Sequence, residues 1–120
     1  MRGNERQNAM NDTKAKSVAL TTEATSFLAE QPPAVVQAFQ ALTDRLETSG
    51  RLVMPDAKKI VNEKNLFELR MKIEPHQYRF FYCYDDGIHI WVLSGFIKKT
   101  QKTPLQEIRK AKKIMRRYGL

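Results

Sequence analysis

The chain holds one cysteine, Cys83, five glycines and five prolines among 120 residues. A lone thiol excludes an internal disulfide framework and a cysteine-cluster zinc site. The glycines are scattered, and neither G-x-x-x-x-G-K nor G-x-G-x-x-G occurs, so the common phosphate and dinucleotide loops are excluded as well. No apolar run approaches the roughly 18 residues of a bilayer span, and Met1 to Thr13 lacks the apolar stretch of a signal peptide. His76 and His89 have no second His or Cys at metal-ligand spacing, and the carboxylates form no magnesium-binding cluster. These absences lead to the expectation of a cytoplasmic protein with no metal, no cofactor and no membrane contact. Acidic residues are also scarce, at 13 Asp+Glu against 21 Lys+Arg, for a net charge of +8.

What is present suffices for one domain. With 42% apolar residues, a chain of this size buries roughly two-thirds of its unfolded surface. Residues 1–13 are polar and read as a flexible leader, which leaves 14–120 as a single domain. The charge is local. Residues 1–50 carry five basic and six acidic side chains, and residues 51–95 carry seven and six. Residues 96–120 carry nine basic side chains against one acid, Glu107. A field concentrated in this way attracts polyanions, although a solvated basic helix face has the same composition.

Periodicity orders the elements. Lys14 to Leu20 reads as a short edge strand. Thr21 and Thr22 offer caps to a short helix through Ala24, Phe27 and Leu28, ending before Pro32. Pro32-Pro33 starts a second helix with the stripe Val35, Phe39, Leu42 and Leu46, closed by Gly50. These two helices are expected to form a hairpin. Phe67, Leu69, Met71 and Ile73 alternate with Glu68, Arg70 and Lys72, as in a half-buried strand. Residues 74–77 read as a turn, Tyr78 to Tyr84 as a second strand, Asp85-Asp86-Gly87 as a tight turn and Ile88 to Ile97 as a third strand. Thr103-Pro104-Leu105-Gln106 reads as a capped helix start, with Leu105, Ile108, Ala111, Met115 and Tyr118 on the inner face. The fold class is α+β: an N-terminal helical hairpin on an antiparallel sheet of three to four strands, with a C-terminal basic helix.

Familiar catalytic templates fail. His76 sits in a polar turn, His89 alternates with strand residues beside Trp91, and Cys83 reads as a small buried hydrophobe. Strand arginines remain. An unpaired charge on Arg79 within an aromatic strand would be expensive. If residues 74–77 turn a hairpin, Arg70 and Arg79 approach each other and need Glu68 or an external anion between them. Either Arg79 makes an ordinary ion pair with Glu68, or the arginines form a phosphate clamp, which planar guanidinium forks suit. Lys98, Lys99 and Lys102, leaving the third strand, could close over the same anion.

The segments Phe67-Glu68-Leu69-Arg70, Tyr78-Arg79-Phe80-Phe81-Tyr82 and Gly95-Phe96-Ile97-Lys98-Lys99-Thr100-Gln101-Lys102-Thr103-Pro104 resemble the phage-derived HigB-like branch of the RelE toxin superfamily. The resemblance covers about residues 17–118. It implies the toxin of a type II toxin–antitoxin system, a metal-independent endoribonuclease that cuts mRNA in the ribosomal A site. The chemistry it implies is attack by a ribose 2′-hydroxyl, leaving a cyclic phosphate and a free 5′-hydroxyl. Its implied partners are ribosome, mRNA and a cognate antitoxin with a helix-turn-helix domain. By motif, Arg70, Arg79, Lys98 and Lys99 are the catalytic candidates. Lys72, Lys102, Arg109, Lys112, Lys113 and Arg116 are the RNA-binding candidates. No residue matches the family's C-terminal base: Tyr118 fits the apolar stripe and His76 stands at no motif position. The alternative is a non-catalytic RNA- or ribosome-binding module that uses the basic C-terminal helix alone. DNA binding is a third reading, but no helix-turn-helix pair accompanies that helix.

Overall fold

In the computed structural model, which describes residues 16–120, a five-stranded mixed sheet has the order β1-β5-β4-β3-β2. The strands are β1 (Ser17–Leu20), β2 (Ala57–Lys59), β3 (Phe67–Ile73), β4 (His76–Tyr84) and β5 (His89–Lys98). The helices are α1 (Thr22–Ala29), α2 (Pro33–Ser49) and α3 (Leu105–Arg117). The expected leader, residues 1–13, lies outside the described residues.

Strands β3, β4 and β5 form the antiparallel meander expected from their short connections. The sheet as a whole departs from expectation in two ways. Strand β1 pairs with β5 in parallel, and β2, unrecognised in the sequence, extends the sheet beyond β3. A three-residue strand, Ala-Lys-Lys, is too short and too polar to show a period. The turn between β3 and β4 is also tighter than expected, because Ile73 pairs with His76 and only Glu74 and Pro75 lie between the strands.

Alternation along the strands gives the sheet two apolar faces. One carries Leu69, Met71, Tyr78, Phe80, Tyr82, Ile90 and Val92 and is covered by Ala24 of α1 and by Val35, Phe39 and Leu46 of α2. Here the expected hairpin is corrected: α1 rests on β5 and β1, and α2 on β3 and β1, so the helices pack on the sheet individually. The other face carries Phe81, Cys83, Leu93 and Phe96 beneath Ala111 and Ile114 of α3. Leu105, expected on the inner face of α3, is 65% exposed.

Local chemistry explains the helix ends. Buried Thr21 accepts from the Ala24 amide at 3.1 Å as a cap and donates to the Leu93 carbonyl at 2.6 Å, so one hydroxyl both starts α1 and fastens it to β5. Gly50 closes α2 at φ 82°, a left-handed conformation that glycine adopts without strain. The β1 edge is blocked by Glu47, whose Oε2 accepts from the Val18 amide at 2.8 Å. Helix α3 is tied down by Lys112–Glu63 at 3.1 Å, by an Arg117–Glu23 ion pair, and by Tyr118, whose ring meets Trp91 at 5.5 Å.

Candidate nucleic-acid cleavage site

Helix α3 covers only part of its face of the sheet. Beyond its first turn, side chains from three strands form polar rows on the same face. Strand register places Arg70 opposite Arg79, Lys72 opposite Gln77, and Gln77 opposite Lys98. Lys58 of β2 stands opposite Glu68. Facing residues on adjacent strands share one side of a sheet, so these groups project together.

Glu68 holds the two arginines. It is 2% exposed, and its Oε1 lies 3.8 Å from Arg70 Nε and 3.7 Å from Arg79 Nε. These are ion-pair contacts longer than a hydrogen bond, and both Nε atoms are buried without a hydrogen-bond partner. The other oxygen, Oε2, accepts from Thr103 Oγ1 at 3.0 Å. Thr103 was expected to cap α3. Pro104 takes the cap position without a side-chain bond, and the Thr103 hydroxyl instead fastens the 99–104 connection to Glu68.

Arg79, 4% exposed, is the most constrained member. Its Nη2 donates to Gln77 Oε1 at 2.7 Å and its Nη1 to the Tyr78 carbonyl at 3.1 Å. Burial pushes its pKa down, the neighbouring Glu68 carboxylate pulls it back up, and Arg70 adds a smaller downward push. Arginine starts so high that it stays charged. Arg70 is half-buried and donates to Met54 Sδ at 2.9 Å. Lys98 has its pKa lowered, first by burial and then by the charge of Arg79, against a weaker opposing pull from Glu68.

Two clefts meet at Gln77. One, of about 380 Å³, is bounded by Met54, Pro55, Asp56, Arg70, Lys72, Gln77 and Arg79. The other, of about 390 Å³, is bounded by Gln77, Lys98, Lys99, Thr100 and Gln101. A carboxylate between two guanidinium groups leaves one positive charge uncompensated, and Lys58 and Lys98, which form no ion pair among the described residues, add to it. Guanidinium and ammonium groups arranged in such a row have the chemistry to hold an anion through charge-assisted hydrogen bonds.

The sequence-derived candidates separate in space. Arg70, Arg79 and Lys98 come together, with Lys99 exposed at the mouth of the second cleft. Lys72 shares the face and pairs with Glu74 at 3.4 Å. Lys102, Arg109, Lys113 and Arg116 are exposed along the 99–104 connection and α3, whereas Lys112 is engaged by Glu63. His76 falls on the opposite side of β4 from Arg79, next to Tyr78. His89 Nδ1 lies 3.0 Å from Asp85 Oδ2, and the Tyr118 hydroxyl accepts from the Thr22 amide at 3.3 Å. Burial raises the pKa of Cys83 to about 12, so its thiol is no nucleophile. Lys58, Gln77 and Thr103 are the positions that sequence reasoning missed. Gln77 lies two residues before Arg79, a spacing that marks a shared strand face once the turn is limited to two residues.

A basic row thus lies on an open sheet face, beside a helix that leaves it uncovered, in an α+β protein of the RelE-like fold. Residues 26–116 match the family model described as phage-derived protein Gp49-like, and the chain belongs to that family. Comparison with curated protein sequences finds no match. Among solved structures, the toxin–antitoxin complex RelBE2 from Mycobacterium tuberculosis is similar at TM-score 0.55 and 22% identity, over 70% of this chain and 99% of that one. An arginine double mutant of E. coli toxin RelE in the free state is similar at TM-score 0.61 and 16% identity, over 82% and 96%. The intact E. coli RelBE toxin–antitoxin complex gives TM-score 0.57 and 15% identity, over 72% and 100%. The resemblance read from the motifs holds at the level of family and fold.

Proposed function

We propose that this chain is the toxin of a type II toxin–antitoxin system and an endoribonuclease that cuts mRNA on the ribosome without a metal. The observation that carries the reading is the Arg70–Arg79 pair, directly opposed on β3 and β4 and held by buried Glu68. Support also comes from Gp49-like membership and from the names of the structural neighbours, which are toxins and toxin–antitoxin complexes. In this reading the scissile phosphate lies across Arg70, Arg79 and Lys98. A ribose 2′-hydroxyl attacks the adjacent phosphorus, the bond to the 5′-oxygen breaks, and a cyclic phosphate and a 5′-hydroxyl result. RNA is required because DNA lacks the attacking group. The arginines stabilise the charge that builds on the phosphorane, and Lys98 protonates the leaving oxygen. The attacking hydroxyl gives up its proton to solvent water, since both oxygens of Glu68 are engaged and the row supplies no base. Lys99, Lys102, Arg109, Lys113 and Arg116 hold the RNA backbone, and the antitoxin is the protein partner.

Single-codon cleavage on programmed ribosomes tests the proposal. Arg79→Ala should slow cleavage roughly a hundredfold, as removal of one transition-state donor does, and should relieve growth arrest on induction. Equal message survival with wild type and Arg79→Ala, together with retained ribosome binding, would reject the nuclease and favour the binding-module alternative.

A further inference from the structure

Arg79 brings its charge to the row from beneath the surface, since it is only 4% exposed. Every guanidinium nitrogen already faces a protein oxygen. Nε faces Glu68 Oε1, Nη1 donates to the Tyr78 carbonyl, and Nη2 donates to Gln77 Oε1 at 2.7 Å. Gln77, by contrast, is exposed and is the residue that bounds both clefts. It stands on β4 between two lysines, opposite Lys72 of β3 and Lys98 of β5.

The hydrogen bond from Arg79 fixes the Gln77 amide. A guanidinium only donates, so the amide oxygen must face Arg79, and the nitrogen turns away with both hydrogens available. A charged donor at the oxygen also polarises the amide and strengthens its N–H groups. The charge buried at Arg79 thus reaches the clefts as a neutral but polarised donor. A further cation at this position would be repelled by Arg79, Lys72 and Lys98, whereas an amide is not. With its oxygen occupied, Gln77 can only donate, and the nonbridging oxygens of a phosphodiester can only accept.

We propose that Gln77 is a catalytic residue, whose Nε2 donates to a nonbridging oxygen of the phosphate that links the two clefts. An RNA strand laid across the row sets one nucleotide against Arg70 and Lys72 and the next against Lys98 and Lys99. The phosphate joining them then lies over Gln77, within reach of Nε2. As the 2′-hydroxyl attacks, charge builds on that nonbridging oxygen and the hydrogen bond tightens. That this phosphate is the scissile one rests on the nuclease reading, whereas the contact itself does not.

The full chain is bound to ribosomes programmed with messages whose A-site codon is built of deoxynucleotides, which lack the attacking hydroxyl and stay uncut. At each phosphate of that codon, sulfur replaces one nonbridging oxygen at a time, which weakens any hydrogen bond that oxygen accepts. One such replacement should weaken binding of the wild-type chain roughly tenfold. Gln77→Met, similar in size but without the amide, should bind the all-oxygen message roughly tenfold more weakly. It should also not respond to that same sulfur. A loss of Arg79 orientation alone predicts the opposite, a sulfur effect of full size in Gln77→Met, and that result overturns the proposal. So does wild-type-like binding by Gln77→Met, or a wild-type chain insensitive to every replacement. A loss in Gln77→Met that changes with the base of the codon and not with sulfur would make Gln77 a reader of bases, and overturns it too.

Cleavage of the all-ribose message is measured beside binding. The phosphate that responds to sulfur should be the one cut, and a mismatch overturns the catalytic role. If the wild-type chain cuts that message while the sulfur effect survives in Gln77→Met, Gln77 alone fails. If the wild-type chain shows the Gln77-dependent sulfur effect but never cuts, the nuclease reading fails and the phosphate contact stands. Failure to bind the programmed ribosome at all overturns both.

Discussion

At the scale of single residues, the site is a balance of buried charge. Removing Glu68 from between Arg70 and Arg79 would leave two guanidinium groups facing each other, and stranding a buried charge costs about 3–5 kcal/mol. The Phe-Glu-Leu-Arg alternation already placed Glu68 and Arg70 on one face, and the ion pair weighed for Arg79 is present, with Glu68 shared between both arginines. The Thr103 contact was not legible, because a threonine before proline and leucine gives the same pattern whether its hydroxyl turns to the helix or to a distant carboxylate. Lys98 carries the residue-scale prediction. Burial and Arg79 hold its pKa below the ordinary lysine value of about 10.4. A proton donor works only while protonated, so cleavage that depends on Lys98 falls as pH rises through that lowered pKa, earlier than a free lysine would allow. In Lys98→Arg the charge remains but no proton can be released. The rate should drop at neutral pH and the alkaline decline should disappear. Single-turnover cleavage measured from neutral to alkaline pH decides this. An unchanged alkaline decline in Lys98→Arg would remove Lys98 from the donor role.

At the scale of elements, the meander and all three helices were legible because each carries its own period, cap or turn residue. The two outer strands were less so. Strand β1 is four residues long, and its parallel partner β5 lies about 70 residues away, a pairing that no local pattern encodes. Strand β2 earns its place through hydrogen bonding beside β3, not through composition. The packing of α1 on β5 has a sharper sequence marker, Gly95. A Cβ built there would lie 2.5 Å from Phe27 Cδ2 and 2.8 Å from Phe80 Cε2, both well inside contact distance. The two rings pack edge-to-face at 5.5 Å, and although half-buried Phe27 borders an open cleft, Phe80 is fully buried and cannot give way. Gly95→Ala should therefore cost about 1–3 kcal/mol through overpacking, which lowers Tm by several degrees in a domain of this size. Gly87 provides the control, since its added Cβ would meet only Asp85 Oδ1 at an ordinary 3.7 Å. Thermal melts of the two variants settle the matter, and equal Tm values would mean that α1 is free to shift off the sheet.

At the scale of the molecule, the net charge of +8 divides into cations with internal partners and cations without. Within residues 96–120, Lys112 is held by Glu63 and Arg117 by Glu23. Lys98, Lys99, Lys102, Arg109, Lys110, Lys113 and Arg116 form no ion pair among the described residues. Sequence shows a uniform basic segment here, because Glu23 and Glu63 are far away along the chain and only the fold brings them to α3. Binding of single-stranded RNA should weaken steeply with salt, since each phosphate contact releases counterions. The log–log slope should report only the cations free to make such contacts. Replacing Lys113 with Ala should flatten the slope by about 0.7, the value for one contact on a single strand. Lys112→Ala should leave the slope unchanged and act on the hold of Glu63 over α3 instead. Binding isotherms over a salt series, run on both variants in the Arg79→Ala background to avoid cleavage, separate the two positions. A larger loss of slope at Lys112 than at Lys113 would show that the Glu63 pair opens when RNA arrives, and that α3 presents its whole basic surface to the polyanion.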